Sequence, residues 1–188
     1  MRRLAALALA GLVLAPGAVR AADGPVLVPT RDVAVTYRMD AGGRTLEQRM
    51  RWSAAAKRMR VDPPSPGIFV LIDYVAHRME VVHEPERSFV EMAAPATLPG
   101  MAGAATESQG GGYVRGGGDE VGGMACTNWT THDAKGRATE ICVTADGVLL
   151  RVRVEGRVLA EAARVEYRPQ DPALFQLPQG YTRMTQPR

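Results

Sequence analysis

The chain has 188 residues, with 23 Lys and Arg against 20 Asp and Glu, a net charge of +3 and 5% aromatic residues. Arg2, Arg3 and Arg20 all precede Ala21 in a stretch without an acid, so the remainder carries 20 basic against 20 acidic side chains. That balance argues against a nucleic-acid partner, and the few aromatics leave aliphatic side chains and Met to build the core.

Residues 1–21 read as a signal peptide: Met1-Arg2-Arg3, an apolar run from Leu4 to Val19, and a small-residue exit. Cleavage is expected after Ala21 or Ala22. The run is interrupted by Pro16 and Gly17 and is too short for a comfortable membrane span. The rival reading is an uncleaved anchor. No cysteine stands at the junction for lipid attachment, and no later stretch is apolar enough to span a bilayer. Residues 22–188 are therefore expected to form a single periplasmic domain. Two cysteines in an exported chain favour one disulfide, Cys126–Cys142. A thiolate metal or redox site is the rival, but there is no CxxC and no neighbouring His.

Asp32 to Met39 alternates, with Val33, Val35, Tyr37 and Met39 on one face, the period of a half-buried strand. After the turn at Ala41-Gly42-Gly43, Thr45 to Trp52 reads as a returning strand, with Leu46, Met50 and Trp52 inward and Gln48 out of pattern. Lys57 to Val61 reads as another strand, with Met59 and Val61 inward. The competing reading is one helix from Thr45 to Met59, whose residues are good helix formers. Asp62-Pro-Pro-Ser-Pro-Gly67 can continue neither structure. Ile68–Ile72, Arg78–His83 and Ser88–Met92 follow as short strands of an antiparallel meander.

Residues 93–123 lack periodicity, and eight of the fourteen residues from Gly110 to Gly123 are glycine. A mobile Gly-rich loop is expected there, with Tyr113-Val114 as a candidate brief strand. Met124–His132, Ala138–Ala145 and Val148–Val154 then read as three antiparallel strands. Asp146-Gly147 is a hairpin turn signal. As a two-residue turn it sets Val143 opposite Leu150 and Ile141 opposite Val152. That register gathers Ile141, Val143, Leu150 and Val152 on one apolar face, with Trp129 beside them. Glu140, Cys142, Leu149, Arg151 and Arg153 fall on the other, with Glu140 facing Arg153 as an ion pair. Cys126 must share the face of Cys142 to reach it, so the disulfide is expected on the outer, polar side. Val158–Tyr167 reads as a last strand, with Ala163, Val165 and Tyr167 on one side. Ala173–Tyr181 reads as an apolar tail docking after one helical turn.

No stretch nominates a reaction. There is no G-x-S-x-G, HExxH, P-loop or Rossmann fingerprint. His77, His83 and His132 do not converge in sequence: His77 and His83, on one strand, would stand about 20 Å apart. Met92, Met101, Met124 and Cys126 flank the glycine-rich stretch and would suit Cu(I), but Met also fills irregular cores. Arg44, Arg49, Arg51, Lys57, Arg58 and Arg60 have only Glu47 among them. As strands they form a basic stripe able to meet anionic headgroups or an acidic partner, or a solvated face whose stems cover apolar surface. No catalytic residue, metal or cofactor is expected.

Lys57-Arg-Met-Arg60-Val61, the meander up to Glu91, and the ending Asp171-Pro-Ala-Leu-Phe175-Gln-Leu-Pro178-Gln-Gly180-Tyr181 together resemble the bacterial LolA-like lipoprotein-carrier superfamily. The closer likeness is to its uncharacterised periplasmic relatives, through Gly123-Met-Ala-Cys126 and Cys142-Val-Thr-Ala-Asp-Gly147. The resemblance implies a mainly β, α+β class fold: a strongly curved antiparallel sheet, an incomplete barrel with a few short helices closing a hydrophobic cavity. In the carriers that cavity holds lipoprotein acyl chains. The expectation is a non-catalytic binding protein that takes a lipid, an acyl chain or another apolar ligand on Phe69, Leu71, Trp129, Ile141, Val143 and Leu150. The alternative is a structural or interaction module of the envelope with a packed core.

Overall fold

The computed structural model describes residues 24–94, 112–132 and 136–184. The expected signal peptide and most of the glycine-rich stretch, residues 95–111, lie outside the described residues. Twelve strands follow one another: β1 Val33–Asp40, β2 Thr45–Ser53, β3 Arg58–Asp62, β4 Ile68–Asp73, β5 Arg78–His83, β6 Ser88–Ala93, β7 Val114–Val121, β8 Met124–His132, β9 Ala138–Val143, β10 Leu149–Val154, β11 Arg157–Glu166 and β12 Thr182–Met184. A single 3₁₀ turn, Pro172–Phe175, is the only helical element among the described residues. All twelve strands join one curved, unclosed sheet in the order β12-β6-β5-β4-β3-β2-β1-β11-β10-β9-β8-β7. The pairing is antiparallel except that β12 runs parallel to β6.

Thr45 to Met59 is two strands. Trp52 pairs with Met59 and Met50 with Val61, so alternate residues bury their apolar side chains on one face. Tertiary burial overrides the helix propensity of this stretch. Gln48, the residue out of pattern, is buried opposite Tyr37. Three of the four hairpins from β2 to β6 turn on a non-glycine residue in the left-handed region, Lys57 (φ 49°), His77 (φ 52°) and Arg87 (φ 47°), and the fourth, between β3 and β4, on Gly67 (φ 75°). This repeated geometry makes β2 to β6 a tight meander. The glycine-rich stretch contributes more than the brief strand expected. β7 runs for eight residues, all exposed except Val121. Backbone pairing with β8 requires no apolar period, which is why periodicity did not reveal it.

Bulges decide the faces of β9 to β11. Ile141 pairs with Val152 and Arg153 with Glu140, the latter pair bridged at 2.9 Å, as the turn signal predicts. Nearer the turn an extra residue enters between Leu149 and Arg151, so Val143 faces Leu149 and not Leu150. Thr144 closes this wider turn by accepting from the Val148 amide, 2.9 Å. A second bulge, opposite Thr36 and Tyr37, buries Ala162 in place of Ala163. Such bulges add local twist and bend to the sheet.

The main buried cluster joins Val33, Val35 and Tyr37 to Met50, Trp52, Met59 and Ile72, and continues to Val148, Leu150, Cys126 and Cys142. The disulfide is formed, but its face is not an open polar one. Cys142 does share a face with Arg151 and Asn128 through its pairings. That face is covered, and Cys142 and Arg151 are both buried. Val121, beside the β7–β8 turn, joins the same cluster, and Asp119 of β7 bonds Arg151. β9 is therefore buried on both sides.

Candidate functional site

The six side chains expected to hold an apolar ligand are all buried, and they do not form one surface. Phe69 and Leu71 pack with Val82 and Phe89 beneath Leu177 and Tyr181 of the C-terminal segment. Trp129, Ile141 and Val143 pack with Val152 beneath Leu27. Leu150, shifted by the bulge, belongs to the main cluster with Cys142. Each group is covered by the chain itself.

Two features provide that cover, the first missed by sequence reasoning and the second, the docking tail after one helical turn, expected from it. The first is the extended segment 24–32, which lies over the Trp129 group and ends at Asp146. Thr30 donates its amide to the Asp146 carbonyl at 2.9 Å, and Arg31 pairs with the Asp146 carboxylate at 2.8 Å while stacking on Tyr167. Tyr167 and Thr144 donate to the same carboxylate. Burial opposes its charge, but these donors outweigh burial and hold the Asp146 pKa below its ordinary value. Pro29 accepts from the Trp52 indole at 2.8 Å. The signal was present in Asp146-Gly147, but it reads as a turn rather than as a dock. The second feature is the segment after the 3₁₀ turn. Asp171 caps that turn through the Ala173 amide, at 2.9 Å, and Phe175 is buried.

A cleft of about 200 Å³ opens under this segment, lined by Arg58, Leu71, Asp73, Arg78, Glu80 and Leu177 among others. It is smaller than the roughly 300–1,000 Å³ common for small-molecule sites. Its charges are already paired, Arg58 with Asp73 at 2.8 Å and Arg78 with Glu80 at 3.1 Å. Burial raises the Glu80 pKa, with Arg78 opposing. Asp73 is lowered: burial acts against its charge, but the Ala76 and Val75 amides and Arg58 outweigh it. A rim of neutralised pairs around a small apolar floor offers little to a long acyl chain.

Polar groups elsewhere, one buried and one exposed, serve the fold. Tyr37 donates to the Leu149 carbonyl at 2.9 Å, and burial raises its pKa. Asp119 is held at about 2, first by its bond from Arg151, then by the Glu120 amide and Asn128. His83 and His132 stand on β5 and β8, well separated in the strand order. No group of three or more His, Cys, Asp or Glu side chains suited to a metal occurs among the described residues.

No protein-family model matches the chain, and no curated protein matches it by sequence. Among solved structures it is similar to an uncharacterized conserved protein from Thermus thermophilus, at 15% identity, covering 82% of this chain and 90% of that one, with a TM-score of 0.59. It is similar to MucB at 10% identity, covering 81% of this chain and 59% of MucB, with a TM-score of 0.54. It is also similar to PNGF-II at 12% identity, covering 78% of this chain but 30% of that one, with a TM-score of 0.53. At these identities the likeness is one of fold.

Proposed function

We propose that this chain is an exported, non-catalytic module of the cell envelope that works by engaging a protein partner. The observation that carries this reading is the fate of the six candidate ligand side chains. They are split among three clusters and covered by the chain's own segments, so binding a lipid there would require displacing folded structure. The reading draws support from the fold shared with MucB, a protein also solved in complex with MucA. It also draws on the leader-like residues 1–21 and on the disulfide, which suits an oxidising compartment.

One observation favours a second reading, lipid carriage. Val70, Val81 and Val90 face one another across β4, β5 and β6, as do Ile72, Met79 and Met92. Of these six only Ile72 is fully buried, so this row could take an acyl chain on the side of the sheet that carries the main cluster. The two readings separate in native extracts. The tagged protein is released from the envelope without detergent and its mass and composition are measured by size exclusion with light scattering. A discrete complex with a second polypeptide in fixed stoichiometry is expected. A monomer carrying extractable acyl chains would replace the module with the carrier.

A further inference from the structure

Across β11, β1, β2 and β3 the strand register arranges six charged side chains around two short ones. One row runs Glu166, Ala34, Arg51, Arg60, and the next runs Arg164, Thr36, Arg49, Asp62. All stand on the face opposite Val33, Val35, Met50 and Trp52, because neighbouring side chains alternate. Four guanidinium groups share two carboxylates. Asp62 bridges Arg51 and Arg60, the second at 2.8 Å. Glu166 bridges Arg49 at 3.4 Å and Arg164 at 3.0 Å.

The arrangement leaves positive charge uncompensated. The Arg51 pKa is lowered, first by burial and then by the neighbouring Arg49 and Arg60, with Asp62 opposing. The Arg49 Nε–H is buried and has no hydrogen-bond partner. Arg60 lies over the Phe69 ring at 3.9 Å, which fixes its plane. Ala34, between the arginines, is covered, whereas the Arg164 side chain is 71% and the Arg49 side chain 36% exposed, so these two guanidinium groups are the ones an incoming group can reach. An added carboxylate would take charge-assisted, bidentate bonds from the exposed guanidinium nitrogens of an already ordered set.

The site has an edge. Beyond Thr36 the next row is Glu161, Arg38, Glu47, which restores acidic charge, so the positive excess is two rows deep. The exposed large apolar side chains among the described residues are Val26, Val28, Val75, Val114 and Met184. None belongs to these rows, so the face presents nothing to insert into a bilayer. Charge complementarity without an apolar anchor fits an acidic polypeptide better than a lipid surface.

We infer that this arginine face docks an acidic segment of the partner protein, a strand or loop bearing closely spaced Asp or Glu side chains; this rests on the module reading above. The test uses a short fluorescein-labelled oligoglutamate, followed by fluorescence anisotropy at low salt. Saturable binding is expected, with Arg49→Gln/Arg164→Gln weakening it about tenfold and added salt weakening it further. The Arg49 Nε–Hε resonance should shift on titration, and Arg183→Gln, which breaks only the pair with Glu91, should change nothing. Circular dichroism confirms that both variants are folded. Equal binding by the double variant, an equal loss in Arg183→Gln, or binding to phosphatidylglycerol vesicles without oligoglutamate binding would each overturn the inference. So would a double variant that still forms the native complex in envelope extracts, and that result would leave the module reading standing. If the parent chain forms no such complex, both fall.

Discussion

Replacing both cysteines with alanine should remove a large share of the stability. The Cys126–Cys142 bond closes a sequence separation of 16 residues. In the chain-entropy account, opening a loop of that length costs about 3 kcal/mol. The sulfurs also pack: Cys142 is 1% and Cys126 7% exposed, within the cluster that holds Leu150 and Val148. Trimming each to a methyl group adds on the order of 1 kcal/mol. The double variant should therefore lose about 4–5 kcal/mol, against a typical total of roughly 5–15 for a domain. Urea unfolding followed by circular dichroism measures the loss. The reduced parent chain separates the terms, because it loses the closure entropy and keeps the sulfur packing. Reduction should account for about 3 kcal/mol and the alanines for the rest. A double variant within about 1 kcal/mol of the oxidised parent would refute the placement of the bond inside the core.

Three further perturbations test the 24–32 segment and two polar contacts. Gly147→Ala would put a Cβ 2.5 Å from the Val28 carbonyl oxygen at a φ of 93°, so the 24–32 segment should lift and the Thr30 amide lose its exchange protection; unchanged protection would contradict that dock. Tyr37→Phe removes the hydroxyl that donates to Leu149 and should lower stability by about 1 kcal/mol in urea melts, with no change expected in the circular dichroism spectrum. Asp119 has its carboxyl pKa lowered from 3.8 to about 2. A depressed acid stabilises the fold above its unfolded value, and that contribution is lost as pH falls through the folded one. The acid transition should therefore include a component between roughly pH 4 and 2. Asp119→Asn should flatten that component, and an unchanged acid limb would show that the Arg151 contact contributes nothing.

The parts of the fold legible in the sequence are those with a strict period. β1, the β4–β6 meander and the pairing of Ile141 with Val152 follow from alternation and turn residues, because a half-buried strand writes its register into side-chain type. The disulfide was legible from compartment and register together. What was not legible has identifiable causes. β7 has no apolar period because it is an edge whose pairing is by backbone. Leu149 and Leu150 exchanged faces because a bulge, set by the Thr144–Val148 turn, does not show in hydrophobic pattern. The candidate site is dispersed because an apolar, inward-facing pattern does not say which segment covers each side chain. Leu27 comes from an irregular segment without a period of its own, held by contacts to Asp146 and Trp52, whereas the docking of the tail that carries Leu177 and Tyr181 was legible and only the side chains beneath it were not. The arginine stripe was visible in sequence, but one of its two shared carboxylates, Glu166, and its fourth guanidinium, Arg164, come from a strand distant in the chain.

If the chain's apolar side chains serve its own core and its function is to meet a partner, the protein should leave the envelope free of lipid. The most direct measurement is native mass spectrometry of the detergent-free protein from the envelope, paired with titration of a fluorescent fatty acid. The expected result is the mass of polypeptide alone or with a protein partner, with no saturable probe uptake. A lipid adduct at one per chain, with saturable uptake displaced by unlabelled fatty acid, would contradict that claim and establish carriage instead.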